Sequence, residues 1–224
     1  MGVDPHGLAD AADVGAFLSR LVRLDPAAVV RLRPAEAPGR VTLWGRVPWG
    51  VLVSRTVAGS VAQDATVAGR ALLDEVAAGG AALPARRDGD WRWPLPIGAG
   101  RVVESVPAAQ VRRIAAAAAG TLRTAGAQGV GGRAVGERVL RDALLDHVSI
   151  VVALPDGNQI EVPQRLVQAV VRMGFLGNDE RESDGTADVR VSGQWIAISA
   201  PYGVAWLLPV TPLVLKPAGP RPNS

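Results

Sequence analysis

The chain has 224 residues, 48% hydrophobic and 20% charged, which is enough for one large domain or two small ones and excludes whole-chain disorder. It has no cysteine, so disulfides, thiol nucleophiles and cysteine-held zinc or iron–sulfur sites are excluded. The isoelectric point near 10.4 rests on a formal net charge of only +3; with one lysine (Lys216) and one tyrosine (Tyr202), almost nothing titrates between neutrality and the arginine range.

The N-terminus, MGVDPHGLADAADVGAF, carries acids and no basic cluster, and His6 stands where a myristoylation signal has Ser or Thr. No apolar run reaches the ~18 residues that span a bilayer. The expectation is a cytoplasmic protein with no membrane contact.

In chain order, Asp10–Leu24 is predicted helical, with Val14, Phe17, Leu18 and Leu21 on one face. Strands are predicted over Val29–Arg33, Arg40–Val47 and Val51–Val57, joined by turns at RPAEAPGR and Pro48-Trp49-Gly50. Thr66 is placed to cap a helix running to Val76, ended by Gly79-Gly80. Residues 79–100, GGAALPARRDGDWRWPLPIGAG, show no sustained helical period and mark the main division. A helix over Pro107–Thr124 follows, with Val111, Ile114, Ala118 and Leu122 as its apolar stripe. A helix after the Gly129–Gly136 loop carries Val139, Leu140, Ala143, Leu144 and His147 along or beside its apolar face.

Ser149–Val162 reads as a hairpin turning at Pro155-Asp156-Gly157. Pro163 opens a helix that Gly174 closes. After an acidic loop, Asn178–Asp188, the run VRVSGQWIAISAPYGVAWLLP is predicted to be a three-strand meander. The fold expected is α+β: antiparallel strand meanders packed with helices, in two halves that are candidates for a common origin. Its divisions are an N-terminal unit over 1–80, a connection over 81–100, a C-terminal unit over 101–208 and a proline-rich tail over 209–224. One echo links the halves: VPWGVLV (Val47–Val53) and APYGVAW (Ala200–Trp206) share proline, aromatic, glycine and valine in register.

Three motifs bear on function. Gly129, Gly131 and Ala134 fit a G-x-G-x-x-A spacing, but the loop is predicted to leave a helix rather than a strand, so it lacks the βαβ setting that presents amides to a pyrophosphate. It reads as a helix–helix joint, with a small anionic ligand binder or an enzyme at this loop as the sharper alternative. His147, beside Asp142 and Asp146, reads as a packing or capping residue without a metal. On the helix at 163–173, Gln164, Arg165, Gln168 and Arg172 are expected outward, where such side chains read base edges, with the following hairpin as a wing. The acidic loop and the lack of a tight helix–turn–helix oppose that.

In RRDGDWRW, Arg86, Arg87 and Arg92 stand among Trp91 and Trp93; such a set either grips bases and phosphates or pegs a long loop to the core, and the peg is favoured. No catalytic residue, cofactor or metal is assigned, and the balance leans against an enzyme. The expected function is a non-catalytic binding protein acting through protein–protein contacts. The partner is unknown, a homo-oligomer is compatible with the pattern, and a nucleic-acid-binding regulator using the 163–173 helix is the alternative.

Overall fold

The computed structural model describes residues 4–128, 137–177 and 185–209. The first half comprises α1 (Ala11–Leu24), β1 (Val29–Pro34), β2 (Arg40–Arg46), β3 (Leu52–Ala58), β4 (Ala65–Ala68) and α2 (Gly69–Ala77). The second comprises β5 (Arg101–Pro107), α3 (Ala108–Gln128), α4 (Glu137–Asp146), β6 (Val148–Ala153), β7 (Gln159–Pro163), α5 (Gln164–Arg172), β8 (Thr186–Ser192), β9 (Trp195–Ala200) and β10 (Gly203–Leu207).

Eight strands form one antiparallel sheet in the order β4-β1-β2-β3-β10-β9-β8-β5, and β6 pairs with β7 in a separate hairpin. The two halves therefore meet edge to edge at β3 and β10, with Val53 opposite Ala205. The sheet order is palindromic: in each half a meander runs inward from an outer strand, β4 or β5. The chain orders differ by a permutation. Moving β4-α2 ahead of α1 gives the order β4-α2-α1-β1-β2-β3, which matches β5-α3-α5-β8-β9-β10 once α4 and the β6–β7 hairpin are set aside. The helix pairs correspond too, α2 packing on α1 and α3 on α5.

Period-2 alternation sorts each strand between two faces. Val30, Leu32, Val41, Leu43, Val53, Val57, Val189, Ile198 and Ala205 point to the helix side and are buried. Gly45 is required there, since a side chain would meet Leu21 of α1 at 2.5 Å. Across the half boundary, Phe17 of α1 stacks on Phe175 beyond α5, with ring centroids 6.4 Å apart and planes 7° from parallel. Arg55 of β3 ties the same seam, pairing with Asp13 of α1 at 2.5 Å and donating to the Tyr202 carbonyl at 2.6 Å.

The outer face carries a second apolar cluster of Trp44, Leu52, Ala197 and Trp206, joined by Trp91, Trp93, Leu95, Trp195 and Val204. The connection explains it. The first half's outer strand is β4 and the second half starts at β5 on the opposite edge, so the chain must cross the full sheet, about 34 Å at ordinary strand spacing. It does so as a strap. Arg87 N donates to Thr66 O of β4 at 2.7 Å, and Arg31 of β1 lies 5.9 Å from the Trp91 ring centroid. Arg46 of β2 lies 5.0 Å from that of Trp93, and Ser192 Oγ of β8 donates to Ile97 O at 2.6 Å.

Several expectations change. Thr66 is not a helix cap: it is buried in β4 opposite Arg31, and α2 begins after Ala68 with no side-chain cap. Gly69 N, the first amide of α2, donates instead to Ala28 O at 2.9 Å. Arg101–Pro107 is strand β5 rather than loop and helix entry, and Thr186–Asp188 belongs to β8 rather than to the acidic loop. The echoed heptads do fall at corresponding turns, β2–β3 and β9–β10. The first turn, however, closes with Val47 N donating to Val51 O, around Pro48, Trp49 and Gly50. In the second, Ala200 pairs directly with Gly203 around Pro201 and Tyr202. That one-residue difference flips the register, so Val51 packs in the helix-side core while Val204 joins the outer cluster.

Candidate functional site

A cleft of about 580 Å³ opens at one end of the sheet, between the strap and the start of α5. Its apolar walls come from Leu52, Trp93, Trp195 and Leu207 and its charges from Arg46, Arg165 and Asp146. Arg46 leaves the end of β2 on the outer face and lies over Trp93. Among the described residues no carboxylate or carbonyl pairs with it, and burial lowers its guanidinium pKa below the ordinary value. Arg165 is otherwise engaged. It pairs with Asp146, donates to the Trp49 carbonyl at 3.2 Å, and accepts from Trp49 Nε1 at 3.0 Å through its own carbonyl.

Both guanidinium groups border Gly50. A side chain there would lie 3.2 Å from Arg46 Nη2 and 3.8 Å from Arg165 Nη1, and its φ of +89° also favours glycine. On the other side of the Arg46–Trp93 stack is a second cavity of about 330 Å³, polar at Asp25, Arg87 and Asp90.

The two edges of the sheet differ. The strap covers β4: Val67 bridges to Arg86, and Asp88 accepts from Thr66 N and from Arg86 Nε, each at 2.7 Å. These two bonds hold the Asp88 carboxyl below its ordinary pKa, Arg86 contributing more than Thr66. At the other edge β5 pairs only with β8 among the described residues. Val102 is 42% exposed on it, and Ile97, just upstream, is 90% exposed. An open strand edge beside exposed aliphatic side chains is a surface that a partner strand can cover.

The residues predicted to face nucleic acid lie elsewhere. α5 is packed among α3, α4, the hairpin and the sheet. Gln164 is buried rather than outward, with Ser149 Oγ donating to its Oε1. Gln168 Nε2 donates to Ala115 O of α3 at 3.2 Å, Arg165 holds the Trp49 turn, and Arg172 is exposed at the helix end. Gln164, Gln168 and Arg172 line a cavity of about 240 Å³ with Leu24, Trp49 and Leu144. A helix between two layers buries more of its circumference than its apolar stripe alone indicates.

In the strap, Arg86 and Arg87 are paired with Asp88 and Asp90, Arg92 is exposed, and Trp91 meets Trp93 edge to face at 5.3 Å. The two indoles peg the strap onto the sheet. The Gly129–Gly136 loop lies outside the described residues. His147 stands just past α4 with its side chain exposed rather than packed, and its carbonyl accepts from Gln164 N. Among the described residues no three histidine or acidic side chains gather as metal ligands, and no helix is long and apolar enough to cross a membrane. Sequence reasoning missed Arg46, Trp195 and Leu207; only the ends of three strands bring them together.

Fold and cleft together define an α+β protein whose two halves share one antiparallel sheet under a crossing strap. Residues 95–211 match the family described as Domain of unknown function (DUF8185), and the chain belongs to that family. Residues 3–93 match a second, Domain of unknown function (DUF8010). No curated protein matches the sequence.

Solved structures share the fold. The DNA polymerase beta subunit of Streptococcus pyogenes aligns with a TM-score of 0.55 at 10% identity, covering 92% of this chain and 64% of that one. The DNA polymerase III beta subunit of Pseudomonas aeruginosa gives 0.54 at 14%, covering 90% and 63%. The sliding clamp of Bartonella birtlesii, bound to griselimycin, gives 0.53 at 15%, covering 88% and 63%. The chain thus spans less than two thirds of the length of these clamps.

Proposed function

We propose that this chain is a non-catalytic binding protein that works through protein–protein contacts, with the β5 edge as its contact surface and a second copy of the chain as one partner. The observation that carries this is the asymmetry of the edges: β4 lies under the strap, whereas β5 pairs only with β8 among the described residues and is flanked by the exposed Val102 and Ile97. The solved neighbours support it in one respect. By their own descriptions they are subunits or sliding clamps of DNA polymerases, and a subunit works within an assembly.

Sedimentation across about a hundredfold range of protein concentration tests the proposal, because association follows mass action. The mean mass is expected to rise with concentration, and Val102→Lys with Ile97→Asp to hold the chain monomeric. A monomer at every concentration, or an oligomer indifferent to both substitutions, refutes the second copy as partner.

The nucleic-acid reading keeps one supporting observation, the stacking of Arg31 and Arg46 on Trp91 and Trp93 along the strap. Arg31 is held by Asp64 at 2.5 Å, however, and Arg86 and Arg87 by their own acids. Weak, salt-sensitive attraction to any polyanion is the expected result in a binding assay with random single strands.

A further inference from the structure

We propose that the cleft between the strap and α5 binds a small ligand that joins an anionic group, carboxylate or phosphate, to a flat aromatic ring. Arg46 holds the anion and Trp195 faces the ring. This site is independent of the β5 edge.

Arg46, at the end of β2, is half-buried. A guanidinium removed in part from water costs free energy unless an anion or hydrogen bonds replace the water. Its one described partner is the face of Trp93, 5.0 Å away, which offers attraction without accepting in-plane hydrogen bonds. A ring face accepts none of the guanidinium's in-plane N–H groups, and two of these match the oxygens of a carboxylate or phosphate. Trp93 is thus a positioning residue for Arg46.

Arg165 adds a second cation across Gly50, and Asp146 offsets one of the two, so the cleft keeps an excess of positive charge.

The remaining wall selects the rest of the ligand. Leu52, Trp195, Leu207 and Pro209 are apolar, so a bare hydrated anion leaves most of the lining unsatisfied. A half-buried indole at the start of β9 suits a planar ring. The volume of about 580 Å³ lies in the range of small-molecule sites and holds one ring system with its acidic group. A nucleoside phosphate and an aryl carboxylate both carry this chemistry.

Titration calorimetry with the full chain tests the site and separates the two sources. The probes are adenosine 5′-monophosphate and indole-3-acetate, each against its neutral counterpart, adenosine and indole-3-acetamide, with inorganic phosphate alone as the bare anion. At least one anionic aryl probe is expected to bind with Kd below about 1 mM, and its neutral counterpart about tenfold more weakly or worse, since the charge-assisted pair is lost. Arg46→Gln is expected to cost that probe about tenfold and Arg46→Lys less. Trp195→Ala, which leaves both cations in place, is expected to weaken the aryl probe and leave phosphate unchanged.

The proposal is overturned if neither anionic probe binds below about 1 mM. It is equally overturned if the neutral counterparts bind as well, if phosphate alone matches the aryl probes, or if Arg46→Gln leaves binding intact. Should Arg46→Gln fail to fold, Trp195→Ala decides alone: unchanged affinity for the aryl probe overturns the site.

Discussion

Removing the Phe175 ring is expected to loosen both halves together, although Phe175 belongs to the second. Phe175 and Phe17 are each 1% exposed and stacked across the boundary, and the Phe175 ring also fills the space above Gly203, where a side chain would meet it at 2.5 Å. Truncating a fully buried phenylalanine to alanine costs about 3–5 kcal/mol in transfer and cavity terms. At about 2.1 cal/mol/K per residue, the unfolding entropy of a chain this long converts that into a fall in Tm of about 6–11 °C. The stack itself is worth about 0.5–1.5 kcal/mol, so Phe17→Ala and Phe175→Ala together should cost less than the sum of the singles by that amount.

The informative assay is amide hydrogen exchange read peptide by peptide. If the sheet is one cooperative unit, Phe175→Ala raises exchange in β1–β3 as well as in β8–β10. Faster exchange confined to β8–β10, or two separate unfolding transitions of which only one moves, would refute the view that the β3–β10 seam makes one body of the two halves.

Two further outcomes follow from local geometry. The Asp88 carboxyl is held below its ordinary pKa by Arg86 and by Thr66 N, so its folded value lies under its unfolded one. Its contribution is then complete above the unfolded value, about 3.9, and is lost as pH falls through the folded one. Thermal melts of wild type and Asp88→Asn should differ at neutral pH and converge in acid; a gap that persists at the most acidic pH where the protein stays folded contradicts the role of Asp88 at the β4 edge. Gly174 and Gly39 both sit at positive φ, +65° and +70°. A side chain at Gly174 would meet Arg20 at 2.5 Å, while Gly39 has open space. Gly39→Ala and Gly174→Ala should each cost about 1 kcal/mol for the backbone, because the atoms that a side chain at Gly174 meets are the far end of the flexible Arg20 side chain, which moves aside; a clearly larger cost for Gly174→Ala in urea melts would show that Arg20 is held in place.

Much of the fold is legible because the main elements announce themselves locally. α1 begins at Asp10, whose side chain accepts from Asp13 N at 3.0 Å, and its stripe of Val14, Phe17, Leu18 and Leu21 is the buried one. Gly174 closes α5 as expected, with Phe175 N donating to Val170 O and Gly174 N to Val171 O. The six strands of the two meanders carry their own turns. What local pattern does not carry is what the sheet joins at long range. β5 reads poorly because RVVESVP is an edge strand with few buried side chains, and α5 misleads because its polar residues are used against α3, the Trp49 turn and Ser149. The cleft was illegible for the same reason: Arg46, Arg165 and Trp195 belong to three separate elements and meet only where strand ends converge.

The permutation bears on how the halves relate. A direct repeat places equivalent residues at one fixed sequence offset. Here the outer strand and its helix follow the meander in the first half and precede it in the second, so no single offset aligns both pieces. Nor does the one visible echo survive its own register, since Val51 and Val204 take opposite faces. The same permutation is what sends the chain from β4 to β5 across the whole outer face, and hence what lays Trp91, Trp93 and Leu95 over that face. The strap thus has two consequences at once. It shields β4 and half-buries Arg46 against Trp93, and it ends at β5, which among the described residues pairs only with β8. The difference between the two edges and the cleft both follow from the one connection that the topology demands.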